Sequence, residues 1–304
     1  MKNAFFTVLV SLAGFLGFAQ KAPTPDNNTL LWKISGNGLS KPSYLFGTIH
    51  MLCATELDLS DNLKTAIAGS DNVYLEIDMD NMEELMSVVN KMKMNGDTSL
   101  QDLLEPAEYA AIKTFFNQQG TDIPFSILEK YKPMLAASSV METDMECPNP
   151  VSMEQLIMAE SKTVGKKIKG LETIAFQMSI FDSIPYKIQA KQLFNYVKNY
   201  GKSDGRKDYE ELTAAYMGQD LKKLEAITLK DDMGIANFMD ILLYHRNADW
   251  AKRLPALMQD KSLVVAVGAG HLPGDKGVIN LLRKAGYKVE PVENNMMKKL
   301  EKSL

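Results

Sequence analysis

The chain of 304 residues carries 34 Lys and Arg against 38 Asp and Glu, and its residues are 45% hydrophobic and 24% charged. This composition is typical of a folded globular protein and excludes a disordered tail, a collagen-like rod and a coiled coil. A net charge of −4 gives no basic surplus for nucleic acid, and two Cys are too few for a disulfide scaffold or a Cys-rich zinc module.

Residues 1–19 have the pattern of a secretory signal peptide. Lys2 supplies the positive charge, an apolar run follows from Ala4 to Phe18, and small residues at Gly17 and Ala19 suit cleavage after Ala19. A membrane anchor is the alternative, but the run is shorter than the roughly 20 residues that span a bilayer. We therefore expect a periplasmic or secreted protein, without a membrane span after cleavage, that forms one domain over residues 20–304.

Strands are predicted towards both ends of the chain. They cover Leu30–Ser35, Ser43–Thr48, Asn72–Met79, Lys166–Leu171, Ser262–Gly268 and Tyr287–Val292. A helix over Asp61–Ala68, with Ser60 as its N-cap, joins the second strand to the third. This strand–helix–strand order predicts a parallel pair with a right-handed crossover. The apolar run that ends at Gly268 is typical of a central strand buried on both faces.

The middle of the chain is predicted to be helical. Helical patterns cover Asp80–Asn95, Pro106–Gln119, Pro124–Met141, Ser152–Val164 and, with breaks, Thr173–Asp260, and another follows at Lys276–Ala285. The expected fold class is α/β, with a central mixed, partly parallel sheet and a large helical insertion between the N-terminal and C-terminal strands.

Five of the 19 Met residues fall between Met79 and Met94. They predict either an adaptable apolar groove or a helix that packs its apolar side on the sheet, and the spacing favours the packed helix.

Cys53 and Cys147 also allow two interpretations. Export would let a disulfide between them persist, but the sequence does not fix their separation, so a bridge and two unpaired thiols both stay open.

Two of the three His residues share one local context. Gly47-Thr48-Ile49-His50 and Gly268-Ala269-Gly270-His271 are both Gly-x-x-His at the carboxyl end of a predicted strand. Ligands of open α/β sheets gather at these ends, and imidazole suits both metal binding and proton transfer. His245 lies inside a helical pattern, and no role is predicted for it.

Glu76 is the third candidate, because an acid between Leu75 and Ile77 in a strand needs a partner or a solvated face. If its strand neighbours the one that ends at His50, the carboxylate could reach that imidazole. The sequence contains no dinucleotide fingerprint, P-loop, Gly-x-Ser-x-Gly elbow or His-Glu-x-x-His helix.

Together these motifs resemble the TraB/GumN family, which includes the Tiki metalloproteases and is distantly similar to ChaN-like and erythromycin esterase-like proteins. The resemblance runs from about Leu31 to Val292. It is carried by the segments Leu45–His50, Leu75–Asp78, Gly170–Thr173 with Gln177, Leu242–Asn247 and Val267–Leu272 with Gly274.

The resemblance implies a divalent metal, Mn, Co or Zn, and hydrolysis of a peptide bond. It carries over His50, Glu76 and His271 as catalytic residues and metal ligands, with Arg246 and Asn247 as supporting catalytic groups. Glu76 would be either a ligand or the general base, and Arg246 would stabilise the oxyanion. A metal-free variant, in which one imidazole is the base, stays open. The alternative function is a binding protein for haem, metal or an envelope ligand, rather than an enzyme for a peptide or small-molecule substrate.

Overall fold

A computed structural model describes residues 28–53, 57–121, 123–144, 150–200, 203–230 and 235–296. The predicted signal peptide and Cys147 lie outside the described residues. The strands are β1 Leu31–Ser35, β2 Ser43–Thr48, β3 Leu52–Cys53, β4 Asn72–Ile77, β5 Pro150–Val151, β6 Ile168–Glu172, β7 Leu263–Gly268 and β8 Lys288–Val292. The helices are α1 Asp61–Gly69, α2 Met82–Val88, α3 Leu100–Leu103, α4 Pro106–Gln119, α5 Phe125–Leu128, α6 Pro133–Asp144, α7 Met153–Thr163, α8 Ile174–Asp182, α9 Tyr186–Asn199, α10 Ser203–Met217, α11 Leu221–Thr228, α12 His245–Met258 and α13 Val278–Lys284.

Six strands form one mixed sheet in the order β6-β4-β7-β2-β1-β8. The four strands from β6 to β2 run parallel, whereas β1 is antiparallel to both β2 and β8. This arrangement confirms the predicted α/β class with a mixed, partly parallel sheet. The residues from Leu263 to Val267 of β7 are buried, as an apolar strand covered on both faces requires.

The predicted pairing of the second and third strands is wrong in one respect. β2 and β4 point the same way, but β7 lies between them and pairs with both. The helix that joins them begins at the predicted residue and has the predicted N-cap. The Ser60 hydroxyl accepts a hydrogen bond from Leu63 N at 3.1 Å. The strand between β2 and β4 comes from a segment almost 200 residues further along the chain. Local sequence does not encode this strand order.

Helices between β4 and β7 form the predicted insertion, and among the described residues the strands β5 and β6 interrupt them. A cluster of buried residues on both sides of the sheet forms one core. A second core, built by α3, α4, α5, α6 and α9, contains Leu100, Ile112, Phe116, Phe125 and Leu193. Within the described residues, no helix is both long and apolar enough to cross a bilayer.

The favoured interpretation of the methionine-rich segment is wrong for its first half. Met82 and Met86 on α2 are 66% and 71% exposed, and Met79 is also exposed. Met92 and Met94 pack inward, but Met92 meets the second core, not the sheet. The helix is shorter than the predicted Asp80–Asn95: α2 ends at Val88, and a 3-10 turn continues to Met92.

A separate two-stranded sheet lies beside the first histidine motif. β3 pairs antiparallel with β5, and the register sets Cys53 opposite Pro150. Because Cys147 lies outside the described residues, the predicted alternatives of a disulfide and two free thiols stay predictions.

Candidate active site

The candidate residues gather at the carboxyl edge of the four parallel strands. Glu172 ends β6, Glu76 lies near the end of β4, His271 follows β7, and His50 follows β2. Parallel neighbours end at the same edge of a sheet, so residues far apart in the chain meet there.

The first glycine of each Gly-x-x-His motif lies so close to neighbouring atoms that a side chain would not fit there. A Cβ atom on Gly47 would lie 2.8 Å from Leu272 Cδ1 and 3.2 Å from Ala269 Cα, and one on Gly268 would lie 3.3 Å from Glu76 Oε1. A side chain at Gly47 would therefore push the two histidine loops apart. Glycine is needed here for space, since neither residue has a positive φ.

Glu76 is enclosed by hydrogen-bond donors. Its Oε1 accepts from Gly268 N at 2.8 Å, and its Oε2 accepts from Arg246 Nη2 at 2.6 Å and from Gln177 Nε2 at 3.1 Å. Burial alone raises the pKa of this carboxyl, but the charge that His271 carries once it is protonated in acid, the charge of Arg246 and the bond from Gly268 outweigh burial and lower the pKa to about 2. Such a carboxylate is ionised at neutral pH and is a weak base, so the geometry favours an ion-pair role over the general-base role.

Arg246 uses all of its N–H groups inside the protein. Nε donates to both oxygens of Glu172, Nη2 to Glu172 and Glu76, and Nη1 to Leu242 O at 3.0 Å and His271 Nε2 at 3.3 Å. A guanidinium has five N–H donors, and these contacts occupy them. The expected oxyanion role is therefore not supported by this arrangement, in which Arg246 holds two carboxylates and an imidazole in place.

Glu76, Glu172 and Arg246 form a cluster of ion-paired side chains, called the ion-pair cluster below. The sequence prediction missed Glu172. Its side chain is 3% exposed and also accepts hydrogen bonds from Trp250 Nε1 at 3.0 Å and Gln177 Nε2 at 3.2 Å. The available signal was its place in the Gly170–Thr173 segment of the family resemblance. Two carboxylates, Glu76 and Glu172, face the single Arg246, so these three groups carry one net negative charge.

His271 is neutral and its tautomer is fixed by its neighbours. Arg246 can only donate, so Nε2 accepts, and Nδ1–H donates to Asn247 Oδ1 at 2.6 Å. Asn247 is buried, and its amide Nδ2 donates to Lys276 O at 2.9 Å, which fixes which way the amide points. Burial lowers the pKa of His271 to about 4, so the ring is uncharged at neutral pH.

His50 has a different carboxylate partner from the predicted one. Its Nδ1 lies 3.0 Å from Oε1 of Glu154, which also accepts a 2.6 Å hydrogen bond from Thr48 Oγ1. Because β7 separates β2 from β4, Glu76 acts on His50 only through its charge. The Glu154 hydrogen bond raises the pKa of His50 to about 8, although the side chain is 77% exposed.

Glu154 was also missed by the sequence prediction, because an acid in the first turn of a helix is ordinarily a solvated residue. In the structure it is buried at the start of α7. Its Oε2 is buried and has no hydrogen-bond partner among the described residues. A charged acid in that position needs a cation, and His50 supplies it.

A cavity of about 270 Å³ adjoins the ion-pair cluster. Glu172 and Arg246 form part of its wall, together with residues of α8, the π-helical turn Asp240–Tyr244 and the start of α12: Phe176, Ser179, Ile180, Ser183, Ile241, His245 and Asp249. His245, to which no role was assigned, is exposed and borders this cavity.

A family model described as TraB/PrgY/gumN matches residues 30–291, which is most of the chain. The chain belongs to the TraB/PrgY/gumN family. Among curated relatives, Metalloprotease TIKI1 of Danio rerio is 25% identical over 90% of this chain and 65% of its own length. Metalloprotease TIKI1 of Homo sapiens is 24% identical over 89% of this chain and 63% of its own length. No solved structure matches. The family member described here thus spans a little under two thirds of the length of these relatives.

Because these relatives are named metalloproteases, the arrangement of the predicted metal ligands His50, Glu76 and His271 is of interest. Within the described residues, no group of three His, Cys, Asp or Glu side chains is arranged to hold a metal ion. His271 Nε2 lies 3.7 Å from Glu76 Oε1, but the Arg246 guanidinium contacts both of them. The residues as arranged therefore do not fit a metal ion between Glu76 and His271, because a fixed cation already holds that position.

Proposed function

We propose that this family member is an exported hydrolase of peptide bonds in which His50 transfers the proton. The observation that carries the proposal is the exposed imidazole of His50 held by buried Glu154 at 3.0 Å, at the sheet edge where ligands gather. The relatives named metalloproteases support peptide bonds as the substrate class. The signal-like pattern of residues 1–19 supports export.

In this mechanism His50 accepts a proton from the attacking water. Glu154 Oε1 accepts from Nδ1–H, so Nε2 of the neutral ring is the nitrogen with a free electron pair. As the water attacks the peptide carbonyl, Nε2 takes its proton, and Glu154 stabilises the imidazolium that forms. The same imidazolium then protonates the leaving amine, which returns the ring to its neutral form.

The cluster of Glu76, Glu172 and Arg246 lies beside this step. The charge of Glu76 raises the pKa of His50 and the charge of Arg246 lowers it, so the two groups act on His50 in opposite directions. His271 and Asn247 position Arg246 from the opposite side through the Nη1 contact and the Asn247 amide. In this proposal these residues organise the site, and His50 is the proton-transfer group.

A metal-dependent hydrolase is the second candidate. Both imidazoles have Nδ1 anchored by an oxygen acceptor, Glu154 or Asn247, and metal-binding imidazoles commonly have such a partner. In this version His50, Glu76 and His271 would hold Mn, Co or Zn, and Arg246 would have to leave Nε2 of His271. No observation favours the haem alternative, since His271 is buried and its Nε2 accepts from Arg246.

A peptide-cleavage screen tests the proposal. The purified protein is incubated with a peptide library between pH 6 and 9, and products are identified by mass spectrometry. We expect cleavage by the wild type and by Gln155→Ala, an exposed neighbour of Glu154, and none by His50→Ala. The absence of cleavage by the wild type across this pH range would contradict the hydrolase proposal.

The metal question has its own measurement. Dialysis against a chelator followed by elemental analysis and activity assay separates the two candidates. Metal-free protein that still cleaves supports the His50 mechanism, whereas activity that returns only with Mn, Co or Zn supports the metal-dependent one. N-terminal sequencing of the exported protein tests the leader, because cleavage after Ala19 leaves Gln20 as the first residue.

A further inference from the structure

Three methionines at the start of the helical insertion lie on the outside of the protein. Met82 and Met86 of α2 are exposed, and so is Met79, which comes just before the helix. Every other Met whose side chain the structure describes is buried or half-buried. Packing in a core accounts for those residues, but it does not account for these three.

The spacing of the three residues places their sulfur atoms within reach of one point. Met82 and Met86 are four residues apart, so their side chains leave the same face of α2 with Cβ atoms about 5–6 Å apart. Met79 precedes Met82 by three residues, across a turn in which Asn81 N donates to Asp78 O at 3.3 Å. Because a Met side chain is unbranched and has three rotatable bonds, the sulfur atoms can converge above this face.

The opposite face of α2 fixes the helix against the protein. Glu84 Oε1 accepts a hydrogen bond from Ile174 N at 2.7 Å, at the start of α8, and Val88 is buried. With about 3.6 residues per turn, Glu84 and Val88 lie on the side of the helix away from Met82 and Met86. Packing therefore holds the two thioethers in the solvent.

The chemistry of a thioether differs from that of other apolar side chains. Its sulfur is a soft, uncharged ligand of the kind that selects Cu(I), whereas Mg²⁺, Ca²⁺ and Mn²⁺ prefer carboxylate and water oxygens. Leu has a similar volume and would provide an apolar surface equally well. The presence of Met at all three exposed positions therefore favours a ligand set for a soft ion over a simple apolar surface.

The nearest charges along the chain do not oppose a cation. Glu83 follows Met82 and is exposed, and Asp80 is paired with Lys162 at 2.8 Å. A negative surface group raises the local concentration of cations. A soft monovalent ion would thus be attracted by charge and held by sulfur.

We propose that Met79, Met82 and Met86 form a binding site for one Cu(I) ion. The thioether sulfur atoms of Met82 and Met86 are the principal ligands, and that of Met79 is the third. The site uses none of the residues assigned to peptide hydrolysis, and it adds binding of a soft metal ion to the proposed function.

NMR of the methionine methyl groups tests the site directly. Protein with ¹³C-labelled Met methyl groups is titrated with silver nitrate, because Ag(I) is a soft monovalent ion like Cu(I) and needs no reductant. We expect the signals of Met82 and Met86 to shift together and to saturate at one ion per chain, beyond any ion that the two cysteine thiols take up. The signals of Met134 and Met217, half-buried on α6 and α10, should not move. Magnesium nitrate should move none of them, since Mg²⁺ prefers oxygen ligands.

Met82→Leu distinguishes one shared ion from independent contacts, because it removes a sulfur atom and keeps the apolar volume. The loss of a group that merely supports a ligand costs about 10–100-fold in metal affinity. The loss of a ligand should therefore weaken the Ag(I) response of the Met86 methyl group by at least about 10-fold. Met217→Leu is the matched control and should leave that response unchanged. An unchanged Met86 response in Met82→Leu, or no shift in the wild type, would overturn the site.

Cu(I) itself is measured by competition with the coloured chelator bicinchoninate, in the presence of ascorbate and without oxygen. The wild type and Met217→Leu should withdraw one more ion per chain from the chelator than the double variant Met82→Leu/Met86→Leu. Equal withdrawal by all three proteins would contradict the proposal and leave this face as an apolar surface. The double variant should cleave peptides at the wild-type rate, so failure of the metal site and failure of the hydrolase are observed separately.

Discussion

The carboxylate of Glu154 sets the proton affinity of His50, and its removal gives the sharpest test of that pair. His50 has a pKa raised from 6.5 to about 8, first of all by its hydrogen bond to Glu154. Glu154→Gln keeps the shape of the side chain and removes the charge. The pKa of His50 should then fall by about one unit or more, towards 6.5.

The expected change in protonation is large at neutral pH. With a pKa of about 8, about one tenth of the His50 rings are neutral at pH 7; with 6.5, about three quarters are neutral. If the neutral ring is the base, the rate should rise with pH through about 8 in the wild type and through a lower pH in Glu154→Gln. The maximal rate of the variant should also fall, because the ring loses the group that orients it.

An NMR titration of the His50 ring measures this pKa without a substrate, and a pH–rate profile follows once a peptide is known. Glu160→Gln is the control, since it removes a carboxylate from the same helix that is not bonded to His50. An identical His50 pKa in the wild type and Glu154→Gln would refute the assigned pair.

Three further predictions concern stability, each measured as the free energy of unfolding in urea. Arg246→Met leaves two buried carboxylates uncompensated and should cost about 3–5 kcal/mol. Its control, Arg253→Met, breaks an exposed pair on the same helix and should cost less than about 1 kcal/mol. Equal losses of stability in the two variants would contradict the buried ion-pair cluster. His271 has a folded pKa of about 4 against 6.5 unfolded, so stability should fall by up to about 3 kcal/mol as the pH drops through this window, and a flat profile would count against its neutral, buried state. Gly47→Ala places a methyl group 2.8 Å from Leu272 and should cost about 1–3 kcal/mol; an unchanged midpoint would show that the histidine loops are not closely packed.

Much of the sheet could be predicted because its strands carry strong local patterns. The bounds of β2 are as predicted, and those of β7 differ by one residue. The order of the strands could not be predicted, since the insertion of β7 between β2 and β4 depends on packing between distant segments. That one rearrangement explains why Glu76 does not bond to His50.

The same reason limited the prediction of the site. Arg246, Asn247 and His271 could be named because motifs and a family resemblance marked them, and the structure brings them together with Glu76. Glu154 carries no such mark, because its burial results from the tertiary placement of α7 beside β2. The exposed Met82 shows the converse, in that helical spacing predicts a packed face only where another element covers it.

The most direct test of the central claim is the rate at which His50→Ala cleaves a peptide that the wild type cleaves, measured at pH 8. A positioned general base contributes about 10²–10⁴-fold, and we expect a loss in that range when the variant is assayed well below its melting temperature. A rate within about twofold of the wild type would contradict it, because a general base cannot be removed at so small a cost.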